Sequence, residues 1–221
     1  MNILILGGGG YVGTPLTEKL LKNKKNRLTV IDTFWFGNFL NKNKRLKIIN
    51  KDIRDVKEKW FKKIDCIIHL ANIANDPAVD LSPNLSWDVN VISSMKIMKF
   101  AIKNKVKKFI FASSGSVYGV KKEKKVTENL DLVPISVYNK TKMIAERVFM
   151  SFKDKIRINC IRPATVCGLS PRMRYDVSVN LLTLQALKNK QITVFGGNQI
   201  RPNIHLKDMI RLYEFFLKKN I

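Results

Sequence analysis

Acidic residues are scarce in this chain of 221: 17 Asp and Glu stand against 41 Lys and Arg, a formal net charge of +24. Histidine is scarcer, at two, and the three cysteines (Cys66, Cys160 and Cys167) form no CxxC pair. Three thiols cannot build a disulfide framework, and zinc needs a tighter set of Cys and His ligands, so no metal is expected. Cys66 in IDCIIHL and Cys160 in IRINCIRP lie in apolar runs. They read as inert core thiols of a reducing compartment, which points to the cytoplasm. Nowhere do apolar residues run together for the ~20 positions a spanning helix needs, so no membrane partner is expected. The opening MNILILGGGG has no basic segment ahead of its apolar run and no small-residue cleavage site after it. It reads as a first strand rather than a signal peptide. Eleven glycines and seven prolines exclude a collagen-like or linker-like chain.

What remains is an ordinary globular composition, 45% hydrophobic and 26% charged. The length suits one large domain, or one domain and part of another, with a core that needs no staples. The lysines are scattered as KNKKN, NKNKR, KKEKK and KKN. With no nucleic-acid recognition motif present, they read as a solvated surface whose positive field favours an anionic small substrate.

Short apolar runs alternate with amphipathic stretches. Asn2–Leu6, Arg27–Asp32, LKIIN, DCIIHLA, KKFIFASS and IRINCIRP read as strands. Helices are expected after the first glycines, over DVKEKWFKK, from Pro83 to about Lys105, and over Tyr138–Phe152. In the longest, Leu85, Val89, Ile92, Met95 and Met98 fall near one face. Strands that are apolar on both faces and alternate with helices predict an α/β, Rossmann-type doubly wound parallel sheet with helices on both faces.

Gly7-Gly8-Gly9-Gly10-Tyr11-Val12-Gly13 separates the first strand from the first helix, and fits GxGxxG from Gly8 or GxxGxxG from Gly7. In that position glycines let the backbone approach a pyrophosphate at the helix N-terminus. Asp32 ends the second strand nineteen residues after Gly13, where a carboxylate accepts from adenosine ribose hydroxyls; the alternative is an exposed strand-end acid. Thr33, Phe34 and Trp35 follow it, with no cation for a 2′-phosphate, which favours NAD over NADP. Tyr138 and Lys142 are spaced i, i+4 on a helix. A neighbouring ammonium favours the phenolate, which is the physics of a general acid/base working beside a nicotinamide. Ser114, in FASSGSVYG after the fifth strand, lies where such sheets bind ligands and can orient a reacting oxygen. Taken singly, YxxxK is usually a surface pair and Ser114 a loop or cap serine.

Together GGGGYVG, VIDTFWFGN, KDIRD, IIHLA with NDP, DVNV, FASSGSVYG, YNKTK, IRPATVCG and VFGGNQIRPNIHLKDM resemble the extended short-chain dehydrogenase/reductases. Within these the chain is similar to the NAD-dependent epimerase/dehydratase family of nucleotide-sugar enzymes, from Met1 to about Leu217. The resemblance implies NAD held by Gly7, Gly10, Tyr11, Val12, Gly13, Asp32, Asp52, Ile53, Leu70, Ala71, Asn90, Tyr138, Lys142 and Arg162. It implies catalysis by Ser114, Tyr138 and Lys142, and a nucleotide-diphosphate sugar touching Ser114, Ser116, Asn180 and Arg201. A homodimer through a four-helix bundle is implied as well, with Met95, Met98 and Phe149 supplying apolar bulk. Residues 1–168 are expected to form the NAD-binding domain and 169–221 part of a smaller substrate lobe, since family members continue past RPNIHLKDM. Asn72 and Ile73 depart from the family pattern, and so does Cys167, where Tyr is usual.

The dehydratase branch needs carboxylates where this chain has Ser114, Gly115 and Ser116. An epimerase needs only a hydride shuttle and one acid/base, so a UDP-hexose 4-epimerase-like reaction is expected. A nucleotide-sugar reductase or dehydrogenase and a truncated, non-catalytic NAD-binding protein stand as alternatives.

Overall fold

A computed structural model describes residues 1–219. Six strands form one parallel sheet: β1 (Asn2–Leu6), β2 (Arg27–Asp32), β3 (Leu46–Asn50), β4 (Cys66–His69), β5 (Lys108–Ala112) and β6 (Arg157–Ile161), in the order β3-β2-β1-β4-β5-β6. Alternation along each strand sends side chains to opposite faces. Ile3, Ile5, Leu28, Val30, Cys66, Ile68 and Ile110 pack beneath helices α1 (Gly13–Leu21) and α7 (Leu206–Lys218). Leu4, Leu6, Ile31, Ile67, Phe109 and Phe111 pack beneath α4 (Ser93–Lys103) and α5 (Val137–Met150). The remaining helices are α2 (Asp76–Leu81), α3 (Pro83–Trp87) and α6 (Ser178–Asn189). β7 (Thr165–Cys167) pairs in parallel with β8 (Asn203–His205) in a small second sheet.

Three expectations are corrected. DVKEKWFKK forms no helix: two single 3-10 turns, Ile53–Asp55 and Glu58–Trp60, occupy the region. The helix expected from Pro83 to Lys105 contains a π-turn, Asp88–Ile92, between α3 and α4. Its wider turn shifts the phase of everything downstream. Val89, Ile97 and Met98 point inward, while Ile92 is 63% and Met95 54% exposed. Met98 and Phe149, expected at a subunit interface, are fully buried inside the chain.

Beyond residue 168 the chain also covers the sheet. In α7, Leu206, Met209, Ile210, Tyr213 and Leu217 join the same buried cluster as α1 and the sheet. Lys108 on β5 secures the end of that helix, its Nζ donating to the carbonyls of Phe216 (2.7 Å) and Lys219 (2.5 Å). A cation there answers both the orphan carbonyls and the negative end of the helix dipole. By contrast, residues 186–203 are exposed throughout. Met98→Ala should cost about 2–5 kcal/mol by leaving a cavity. Met95→Ala should stay within roughly 0.5 kcal/mol, as surface changes do; chemical denaturation at low protein concentration compares the two.

Candidate active site

The strand order reverses between β1 and β4, and the carboxyl ends of the strands meet there. Such a crevice is where open parallel sheets bind ligands. Gly7 leaves β1 with φ +83°, and a Cβ on it would stand 2.4 Å from the Ala71 amide nitrogen; on Gly13 it would stand 2.3 Å from the Gly7 carbonyl oxygen. Packing alone therefore demands both glycines. Gly10 differs, because the only atom near its Cβ position is the Gly7 oxygen, at 3.4 Å. No side chain caps α1, whose N-cap is Val12. The positive end of that helix is left for an anion, and the cradle suits a pyrophosphate.

Asp32 steadies this turn. Its carboxylate accepts from the amides of Gly9 and Phe34, each at 2.8 Å, and stays half-buried with lone pairs to spare. The local sequence offers Asp32 no cation, yet the fold brings one. Arg172 stacks on Phe36 at 3.9 Å and lies close enough for its charge to act on Asp32. Leu70 and Ala71 form the facing wall, both amides donating to the Leu6 carbonyl at 2.8 Å.

Beyond β5, Ser114 caps the 3-10 turn Gly115–Tyr118. Its Oγ lies 2.7 Å from that of Ser116, which in turn donates to Asn139 at 2.5 Å. Tyr138 stands in the first turn of α5, where Ser136 accepts from the Asn139 amide (3.2 Å) as N-cap. The half-buried Tyr138 phenol lies on the Ser114 side of the crevice. Lys142, one turn further and 3% exposed, donates to the Ala112 carbonyl at 2.6 Å, 4.9 Å from the centre of the Phe111 ring. The glycine turn, Asp32, Leu70–Ala71, Ser114, Tyr138 and Lys142 thus come together along the carboxyl edge of the sheet.

Several of the residues expected at the ligands also make bonds within the chain. Asn90 accepts from the Ile73 amide (2.8 Å) and donates to Thr141 Oγ1 (3.1 Å), tying the wall after β4 to α5. The Arg162 guanidinium lies against Glu146, 2.7 Å at its shortest, and donates to the Tyr118 hydroxyl at 2.8 Å. The Asn180 amide is spent on Gly168, Tyr11 and the Arg174 carbonyl. Tyr11 turns its buried phenol to the Gly168 carbonyl at 2.7 Å, so only its backbone faces the glycine turn. Asp52 pairs with Arg54 at 3.0 Å and Ile53 is buried. Arg201 is exposed.

The electrostatics also depart from the expected scheme. Burial pushes Lys142 down to about 7, against the pull of Glu146. It holds His69, boxed among Phe109, Phe111 and Phe149, down to about 3, with Lys142 adding to the effect. Burial raises the Tyr138 phenol; Arg174 and the Ser114 hydroxyl pull it back, and Asp76 pushes it further up. Cys66 and Cys160 are pushed up to about 12 by burial, which keeps both thiols protonated and unreactive.

A glycine cradle at the switch point of a parallel sheet, with a hydroxyl pair and a lysine beside it, defines a dinucleotide-binding enzyme. The chain matches the family model "NAD dependent epimerase/dehydratase family" over residues 3–221 and belongs to that family. Its cofactor is accordingly NAD. It is 33% identical over 229 residues to an uncharacterized UDP-glucose epimerase of Bacillus subtilis, covering 96% of this chain and 71% of that protein. It is 28% identical over 244 residues to the UDP-glucose 4-epimerase of Lactobacillus helveticus, covering 99% and 72%. The crystal structure of UDP-glucuronic acid 4-epimerase from Bacillus cereus, in complex with UDP-glucuronic acid and NAD, superposes with a TM-score of 0.91 at 31% identity, covering 100% of this chain and 74% of that one.

Holding Lys142 near 7 has a consequence for stability. The folded chain releases this proton more readily than the unfolded chain, where lysine titrates at its ordinary 10.5. Stability therefore rises with pH between those values, and the penalty is full below the lower one. The stability of Lys142→Met relative to wild type should be greater at about pH 6 than at about pH 10, by on the order of 3 kcal/mol. Urea denaturation of the cofactor-free proteins at both pH values checks this.

Proposed function

We propose that the protein interconverts a pair of nucleotide-diphosphate hexoses epimeric at C4, with a UDP-hexose as the substrate class. The observation that carries this reading is the Ser114–Tyr138 hydroxyl pair, with Lys142 one turn away, beside the Gly7–Gly13 cradle. The names of the relatives, 4-epimerases acting on UDP-sugars, support the same reaction.

In this reading Gly10, the amides of Tyr11 and Val12, and the N-terminus of α1 hold the pyrophosphate. Asp32 accepts from the adenosine ribose, and Leu70 and Ala71 line the wall. Bound NAD supplies a reversible hydride acceptor. Tyr138 Oη takes the proton from the sugar C4 hydroxyl and later returns it. Ser114 Oγ donates to the same sugar oxygen and keeps it in reach of the phenol. Lys142 holds the nicotinamide ribose and, through Ala112, the end of β5. Asn90 acts indirectly by fixing the wall at Ile73, and the Glu146–Arg162 pair by fixing the end of β6 against α5. Ser114, Gly115 and Ser116 offer no carboxylate for eliminating water, which favours epimerisation over dehydration. Residues 1–168 carry the cofactor, and the segment around β7, α6 and β8 contributes to the sugar-nucleotide side.

Tyr138→Phe keeps the ring and removes the proton carrier. Turnover of a UDP-hexose pair should fall about 10²–10⁴-fold while NAD affinity measured by calorimetry stays nearly unchanged. A variant as active as wild type would sink the mechanism. We also propose a homodimer. With Met98 and Phe149 buried in the chain, the exposed Ile92 and Met95 are the apolar residues left on that helical face. Sedimentation at micromolar concentration should give a dimer, and Met95→Lys should shift it toward monomer.

A further inference from the structure

The amino edge of the sheet lies a strand's length from the crevice. There the crossover from β3 to β4 runs through two 3-10 turns rather than a helix, on the face that Ile31, Val56 and Phe61 share. The first residues of β2 and β3 are therefore left without a helical cover. Alternation puts Arg27 and Thr29 on that face with Ile31, and Lys47 with Ile49. Thr29 and Lys47 are register partners in adjacent strands; Thr29 is half-buried and Lys47 exposed. The result is a hollow of about 330 Å³ at the amino ends of β1 to β4, rimmed by Arg27, Lys44, Lys47, Lys62 and Lys63.

Two ordinary explanations for clustered cations fail here. One is that they answer the carbonyls and the dipole at a helix C-terminus. Arg45 does this, donating to the carbonyls of Leu21 (2.7 Å), Asn23 (2.9 Å) and Asn26 (3.1 Å) at and beyond the end of α1. None of the five rim residues stands in the last turn of an α-helix. The other is that they pair with acids. No carboxylate lines the hollow, and among the described residues none of the five forms an ion pair. Asp65, next to the Lys62–Lys63 turn, accepts from the Asn2 backbone amide at 2.7 Å. The backbone under the rim is tied down as well. The Asn2 side-chain amide donates to the Lys63 carbonyl at 2.9 Å, and Arg45 joins the start of β3 to the turn before β2. The fold thus holds five like charges around one hollow, where they repel each other unless an anion enters.

We propose that this hollow is a second anion site, separate from the dinucleotide crevice, for a compact oligophosphate of two or more phosphate groups. Convergence of five cations matches a ligand of high charge density, and ammonium and guanidinium groups both bind phosphate oxygens well. The lining has no aromatic ring on which a base could stack, so the phosphates carry the recognition. The concave shape favours a compact anion over a nucleic-acid strand or a bilayer, which would spread across an open basic surface.

Inorganic tripolyphosphate is the probe, titrated calorimetrically into protein saturated with NAD and UDP so that the crevice is filled. One equivalent should bind, and binding should weaken as salt rises from about 50 to about 200 mM. Lys62→Gln combined with Lys63→Gln should lower the affinity at least about tenfold, through two lost charge-assisted contacts. Arg27→Gln combined with Lys47→Gln should do the same from the sheet side. Lys153→Gln combined with Lys155→Gln removes equal charge at the entry to β6, away from the hollow, and should change it less than about threefold. NAD affinity should be the same in every variant, which keeps a failure to fold apart from a loss of the site. No binding at about 1 mM probe overturns the proposal, and so does an equal loss in the Lys153 and Lys155 variant, which would make net charge the cause. Displacement of the probe by excess UDP would place it in the crevice and overturn it too. A single-stranded oligonucleotide or an anionic vesicle that binds more tightly than tripolyphosphate, with the same dependence on Lys62 and Lys63, would replace the compact site with an extended surface.

Discussion

The site depends on one steric constraint, the contact of Gly7 with Ala71 and of Gly13 with Gly7. A side chain at Gly7 would meet the backbone after β4 at 2.4 Å, and one at Gly13 would meet the turn itself at 2.3 Å. Removing both Cβ atoms lets the chain leave β1, reverse and enter α1 while pressed against the end of β4. That approach brings the N-terminus of α1 to the switch point of the sheet and sets Leu70 and Ala71 as its opposite wall. The Asp32 bond to the Gly9 amide locks the turn from the β2 side. Without that geometry the residues after β5 would have no cofactor site to face.

The second organising force is burial, which works against the charges it encloses. Phe109, Phe111 and Phe149 fill the space under α5, with ring centroids 4.7 Å apart in the closer pairs. The same packing encloses His69 and Lys142 and makes their charged forms costly. His69 answers by staying neutral. Lys142 answers by turning to a carbonyl and an aromatic face, two weak partners for an ammonium. Glu146 and Arg162 lie in the same region but neutralise each other.

This arrangement gives the segment after residue 168 two separate tasks. Its last helix completes the cover of the sheet, with Lys108 at its carboxyl end. Its first connection reaches back over the crevice, where Ser170 and Asn180 hold the backbone and hydroxyl of Tyr11. Arg172 and Arg174 arrive by the same route, one stacked on Phe36 and the other paired with Asp176. The polar contacts of Tyr11 explain why a bulky aromatic follows the glycines: its phenol ties the cofactor turn to this connection.

Local pattern alone determined the sheet, the glycine turn, and the positions of Asp32, Ser114, Tyr138 and Lys142. Each of these rests on a short-range rule: alternation in a strand, freedom of a glycine, or spacing on one helical turn. Those rules hold wherever the segment packs. The π-turn at Asp88–Ile92 escaped them, because a single added residue in a turn leaves no mark on composition yet rotates Ile92 and Met95 outward. The partners that Asn90, Arg162 and Asn180 bond within the chain stand 17, 16 and 12 residues away, at Ile73, Glu146 and Gly168. Which group satisfies a buried polar side chain depends on what the fold places next to it. The same holds for charge. Tyr138 and Lys142 are neighbours in sequence, yet how readily each titrates is set by burial, which only the fold decides.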